Sequence, residues 1–89
     1  MQVILTNKAD KALDRILIGN RVMGMNIQKF VRKTLPAAKD PKVLPNALKM
    51  SGASNKYRWR IGSYRVVGYV FDDKLLIEVI DIDSRGNIY

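Results

Sequence analysis

From Tyr57 onward the apolar residues recur at every second position, and this period of two constrains the fold more than any other feature of the chain. Tyr57-Arg58-Trp59-Arg60-Ile61 alternates bulky apolar with basic side chains, as a strand with one buried face does. Gly62-Ser63 supplies a two-residue connection with glycine first, which suits a type II′ hairpin turn. The next strand is expected over Tyr64 to Phe71. With that loop, Ile61 faces Tyr64 and Arg60 faces Arg65. Arg58 joins the two arginines, because residues two apart on a strand share a face. Tyr57, Trp59, Ile61, Val66 and Val70 fall on the opposite face. Asp72-Asp73 turns the chain, and a third strand over Lys74 to Ile82 adds Leu75, Ile77 and Val79 to that apolar side. Residues 83–89 offer a short final strand.

The period ahead of this region is helical. Val3-Ile4-Leu5 is a short strand, and Thr6 or Asn7 offers an N-cap with Asp10 in the first turn. Ala9, Leu13, Ile16 and Leu17 then make one face of a helix that Gly19-Asn20 stops. A second helix starts near Asn20 or Asn26, with Met23, Ile27, Phe30, Val31 and Leu35 on one face. Gly24 weakens its first turns. Pro36 disfavours helical backbone at Leu35, so the helix is expected to end or kink there. Residues 36–56 read as a long connector, pinned to the core through Leu44, Leu48 and Met50. The expected fold is α+β: a short N-terminal strand and a helical hairpin packed on a small, mainly antiparallel, twisted β-sheet. Residues 1–89 form one domain in this reading.

The inventory narrows the chemistry. Among 89 residues there is no cysteine and no histidine. Disulfides and thiolate metal sites are excluded, and so is the usual general base near neutral pH. No cofactor and no metal is expected. No apolar run approaches the roughly 20 residues of a membrane span, and the N-terminus lacks the basic region of a signal peptide. A cytoplasmic protein that uses no membrane is expected. The net charge is +8, and it is uneven. Residues 1–65 hold 14 Lys or Arg against 3 Asp, whereas residues 66–89 carry a net charge of −3. Such a basic excess favours polyanionic partners, with nucleic acid first and an acidic protein second.

The three arginines of the hairpin sharpen that inference. Like charges directly across a ladder disfavour pairing by a few tenths up to about 1 kcal/mol. Glu78 on the same face would offset part of this. A guanidinium is planar, permanently charged and able to hold phosphate through two hydrogen bonds. Several together can stabilise the extra charge of a pentacoordinate phosphate. RNA brings its own nucleophile, the 2′-hydroxyl beside that phosphate, so in-line orientation alone lowers the barrier. Lys29, Arg32 and Lys33 on the second helix, and Lys56 at the start of the hairpin, are candidate RNA contacts with Arg58 and Arg60.

The stretch Tyr57-Arg-Trp-Arg-Ile-Gly-Ser-Tyr-Arg-Val-Val, its acidic turn, the Leu-Leu-Ile-Glu-Val-Ile-Asp-Ile strand and the closing Asp-Ser-Arg-Gly-Asn-Ile-Tyr resemble the RelE/ParE toxin superfamily. The resemblance is close from Tyr57 to Tyr89 and looser, though compatible, before it. It implies a toxin of a type II toxin–antitoxin system with a cognate antitoxin as partner. In the RelE branch it implies an endoribonuclease that meets mRNA on the ribosome and cuts it in the A site. By the same resemblance Arg58, Arg60, Arg65, Arg85 and Tyr89 form the catalytic set. Arg65 and Arg85 would hold the phosphate, and Tyr89 would stack on or orient the nucleotide.

Two departures from the family pattern matter. Ser84 stands where the pattern often has histidine, and Arg58 and Arg60 stand where some of its nucleases have lysine. The proton acceptor is left open among Tyr89, Glu78, Asp81, Asp83 and groups of the ribosome or the RNA. Two other readings keep the same fold: a ParE-like inhibitor of DNA gyrase without nuclease activity, and a non-catalytic RNA-binding module.

Overall fold

A computed structural model describes residues 1–84. Its strands are β1 (Gln2–Leu5), β2 (Ala47–Lys49), β3 (Lys56–Ile61), β4 (Tyr64–Phe71) and β5 (Leu76–Ser84), joined in one sheet of order β1-β5-β4-β3-β2. β1 runs parallel to β5 and every other pair is antiparallel. The helices α1 (Asn7–Gly19) and α2 (Arg21–Lys29) cover one face. This is the expected α+β arrangement.

The caps are local and legible. Thr6 Oγ1 accepts from the Ala9 N–H at 3.2 Å and donates to the Ile80 carbonyl at 3.3 Å, so the start of α1 is tied to β5. Asn20 serves both helices. Its N–H donates to the Ile16 carbonyl at 2.7 Å, and its Oδ1 accepts from the Met23 N–H at 3.2 Å. Gly24 does more than weaken a turn: a Cβ there would lie 2.7 Å from Leu17 Cα, so glycine is what lets α2 approach α1 so closely.

The helix does not end at Leu35 itself. It widens into a π-helical turn over Phe30–Thr34, with the Leu35 N–H donating to the Phe30 carbonyl, and runs on through α3 (Leu35–Ala37). Leu35 keeps helical backbone, φ −65° and ψ −46°, although Pro36 follows it. The five-residue spacing shifts the carbonyls against which the Pro36 ring would otherwise clash, and the chain leaves the helix at Ala38.

The connector holds a strand where the sequence suggests a pinned loop. Pro41–Val43 is a 3₁₀ turn, and β2 follows it on the edge of the sheet against β3. The Trp59 Nε1–H donates to the Pro41 carbonyl at 2.9 Å, which fastens this segment to the core. Leu44 packs against the core. Leu48 does not: it is 53% exposed, because its register partner is Arg58 on the outer face.

The inner face is apolar. Trp59, Val66, Val70, Ile77, Val79 and Ile82 are buried against Ala9, Leu13, Ile27, Phe30, Val31 and Leu35, with Tyr57 and Ile61 partly buried beside them. Leu75 departs from expectation. It is 64% exposed and sits at φ 51°, closing a 3₁₀ turn over Asp72–Lys74 before β5 begins at Leu76.

Candidate functional site

The hairpin register places the arginines as the alternation requires. Ile61 pairs with Tyr64, Arg60 with Arg65 and Arg58 with Val67. Gly62 has φ 59°, the left-handed value that a type II′ turn needs at its first central residue. Trp59 and Val66 take the inner face, so Arg58, Arg60 and Arg65 share the outer one. Arg60 is exposed there, and Arg58 and Arg65 are half-buried.

A β-bulge brings acidic residues to these arginines. The β4–β5 register shifts between Val67 and Gly68, so that Asp81 opposes Val67 and Val79 opposes Gly68, with Ile80 left over. Without the extra residue, Asp81 and Asp83 would follow Ile77 and Val79 onto the inner face. With it, Ile82 enters the core and Asp83 comes directly opposite Arg65. Arg65 Nε donates to Asp83 Oδ1 at 2.9 Å, between side chains that are 17% and 30% exposed. Arg60, Arg65 and Asp83 thus form one row across β3, β4 and β5.

Glu78, read from the sequence as the neutralising carboxylate, lies in another row, opposite Tyr69. Asp81 accepts from the Ile82 N–H at 2.9 Å and meets Lys8 at 3.5 Å. The bulge has a sequence signal, a glycine inside a strand. A Cβ at Gly68 would stand 2.7 Å from the Glu78 carbonyl oxygen.

Two further features share the outer face. Lys56 opposes Tyr69, and the Tyr69 and Phe71 rings lie 6.3 Å apart, with Lys74 Nζ 5.3 Å from the Phe71 ring. Their parity with Arg65 on β4 was the signal that places them there. Beside β2, Pro45, Asn46, Leu48, Arg58 and Arg60 line a hollow of about 260 Å³. A larger cavity of about 540 Å³ lies where α1 ends, with Arg15, Asn20, Tyr64, Asp83 and Ser84 in its wall.

The other basic candidates stand apart. Lys29, Arg32 and Lys33 line a shallow groove with Met25, Asn26 and Gln28. Ile27, Phe30 and Val31 of the same segment are buried against the sheet, so this groove opens on the far side of the helical layer from Arg58, Arg60 and Arg65. Arg85 and Tyr89 lie outside the described residues. Lys42 is held above its ordinary pKa, chiefly by a 2.8 Å hydrogen bond to Asp72, on the connector. Among the described residues no group of three acidic side chains is placed to hold a metal ion, and no helix is long and apolar enough to cross a membrane.

No family model and no curated protein sequence matches this chain. Solved structures do. A chain of the archaeal RelE–RelB complex from Pyrococcus horikoshii OT3 superposes with a TM-score of 0.76 at 24% identity, over 96% of this chain and 94% of that one. The isolated RelE toxin of E. coli gives a TM-score of 0.67 at 20% identity, over 93% and 82%. A YoeB/ParE toxin from Agrobacterium tumefaciens gives 0.69 at 20%, over 94% and 98%. The fold of this chain is the fold of the RelE, YoeB and ParE toxins.

Proposed function

We propose that this chain is the toxin of a toxin–antitoxin pair, and that it cuts mRNA in the ribosomal A site by attack of the RNA 2′-hydroxyl on the neighbouring phosphate. The observation that carries the reading is the cross-strand pair Arg60 and Arg65, with Arg58 on the same face. Repulsion between facing guanidiniums is a liability that a bound phosphate turns into an asset. The fold supports the reading, since the matched structures include RelE and YoeB toxins, several of them in antitoxin complexes.

The chemistry follows from the side chains. Arg65 is anchored through Nε, and its Nη groups are the donors that would meet a phosphate oxygen. Arg60, exposed in the same row, faces that phosphate from β3, and Arg58 extends the positive face toward β2. Charge that develops on the phosphoryl oxygens then meets donors already in position. By family resemblance Arg85 and Tyr89 complete the set, and Lys29, Arg32, Lys33 and Lys56 add RNA contacts. A cytoplasmic setting and a cognate antitoxin belong to the same reading. The +8 chain would capture an acidic antitoxin by electrostatic steering.

Primer extension on mRNA in a ribosome-programmed translation reaction tests this. The expected result is new 3′ ends within A-site codons, seen only with ribosomes and lowered on the order of 10²–10³-fold by Arg65→Ala. Intact mRNA with folded wild-type protein would overturn the nuclease reading. Gyrase-dependent DNA damage in cells expressing the protein would then favour a ParE-like activity. Binding to RNA without cleavage, steeply dependent on salt, would favour a binding module.

A further inference from the structure

We infer that Asp83 is the proton acceptor for the attacking 2′-hydroxyl, an inference that rests on the nuclease reading above. The inventory sets the problem: with no histidine in the chain and arginines on the hairpin face, the described side chains of that face with the chemistry of a proton acceptor are carboxylates. Glu78 lies opposite Tyr69, in a different row from Arg60 and Arg65. Asp81 opposes Val67 and is engaged by the Ile82 N–H and by Lys8. Asp83 stands in the row of Arg60 and Arg65 itself, one strand from Arg65.

The geometry gives this carboxylate a defined orientation. Arg65 Nε holds Oδ1 at 2.9 Å, so one carboxylate oxygen is fixed against the guanidinium. A phosphate on the Nη groups of Arg65 therefore lies beside Asp83, and a 2′-hydroxyl adjacent to that phosphate meets Oδ2. In the step, Oδ2 takes the hydroxyl proton as the O2′–P bond forms. The P–O5′ bond breaks and the leaving 5′-oxygen takes a proton from water. The products are a 2′,3′-cyclic phosphate and a 5′-hydroxyl end. The row Arg60–Arg65–Asp83 keeps a net charge of +1, so the carboxylate does not repel the substrate from the site as a whole. The bulge that leaves Ile80 over exists, on this view, to bring Asp83 to the outer face.

Asp83→Asn keeps the shape and removes the basicity. Single-turnover cleavage on programmed ribosomes at saturating toxin, with toxin binding to those ribosomes measured alongside, is the test. The expected result is a loss of cleavage of about 10²-fold or more in Asp83→Asn with ribosome binding unchanged. Asp83→Glu, which keeps the carboxylate, should retain part of the rate, whereas Asp83→Asn, closer in shape, should not; a purely structural role would order the two variants the other way. Circular dichroism and thermal melts confirm that both variants fold. Asp83→Asn cleaving at the wild-type rate, or faster because Arg65 is released, overturns the inference while leaving the nuclease reading intact. If Asp83→Asn fails to fold, the test passes to Asp83→Glu, which must keep part of the wild-type rate, and a complete loss of cleavage in folded Asp83→Glu overturns the inference. A wild type that leaves mRNA intact overturns both.

Discussion

On the inner face of β3 and β4, Trp59, Val66 and Val70 are buried against the helices; one residue away along the same strands, Arg58, Arg60 and Arg65 stand together on the outer face. A single alternation builds both, but each face meets a different requirement. The inner face is close-packed, so stability is lost wherever an atom is removed. The outer face sets two cations in register and answers them with one carboxylate, an arrangement that stability alone would not select. The Arg65–Asp83 pair is partly buried but keeps some contact with water, and such a pair contributes on the order of 1 kcal/mol. Substitutions on the inner face should therefore lower stability and carry activity down with it. Those on the outer face should lower activity and leave stability nearly unchanged.

The largest effect expected on this comparison is from Trp59→Ala. Trp59 is 0% exposed, stacks on Tyr57 at 6.3 Å and holds the Pro41 carbonyl through its indole N–H. Its removal opens a cavity and leaves that carbonyl without its partner, for a loss of about 3–5 kcal/mol by urea denaturation. For a domain whose whole stability is on the order of 5–15 kcal/mol, much of the margin goes. A loss below about 1 kcal/mol would mean that the connector and the sheet do not share a core. The Arg65→Ala variant is the counterpart: cleavage falls by orders of magnitude, and the denaturation midpoint should move by less than Trp59→Ala moves it.

Much of the inner face was legible because hydrophobic period is a local signal. The hairpin register, the Thr6 cap and the role of Asn20 between the helices follow from residues within a few positions of one another. What was not legible depends on distant parts of the chain. β2 has three residues and exists because β3 offers it an edge, so the Pro-rich connector carries no period of its own. Leu75 fits the alternation of Ile77 and Val79, yet the preceding turn places it at positive φ, outside the strand. The partner of Arg65 was hidden by the bulge, which changes the parity of everything after Val79. Gly68 was the mark of that bulge, and it becomes readable once the Glu78 carbonyl is known to lie against it.

Two glycines sharpen the packing side of the comparison with a smaller effect. A Cβ at Gly24 would meet Leu17 backbone at 2.7 Å, whereas one at Gly19 would meet nothing within 4 Å. Alanine is the better helix former at both places by about 1 kcal/mol. At Gly24 overpacking outweighs that gain, and Gly24→Ala should destabilise by about 1–3 kcal/mol. Gly19→Ala should be neutral or stabilise by up to about 1 kcal/mol. Paired thermal melts check both, and equal shifts of the same sign would show that the helices do not approach as closely as Leu17 and Gly24 indicate.

The smallest effect carries the opposite sign and bears most directly on why the arginines face each other. Arg60→Thr removes one of two like charges in register and substitutes a residue that favours strands. The backbone bonds at this position survive, because the Arg60 N–H donates to the Asn46 carbonyl and the Asn46 amide donates to the Arg60 carbonyl. Stability should rise by a few tenths of a kcal/mol, read as a higher urea midpoint at unchanged slope. Cleavage on programmed ribosomes should fall at the same time. That opposition separates a functional arginine from a structural one: a residue kept for the fold loses stability when replaced, whereas one kept for a phosphate gains stability and loses activity. A lower midpoint for Arg60→Thr would place Arg60 with Trp59 among the residues that hold the sheet together.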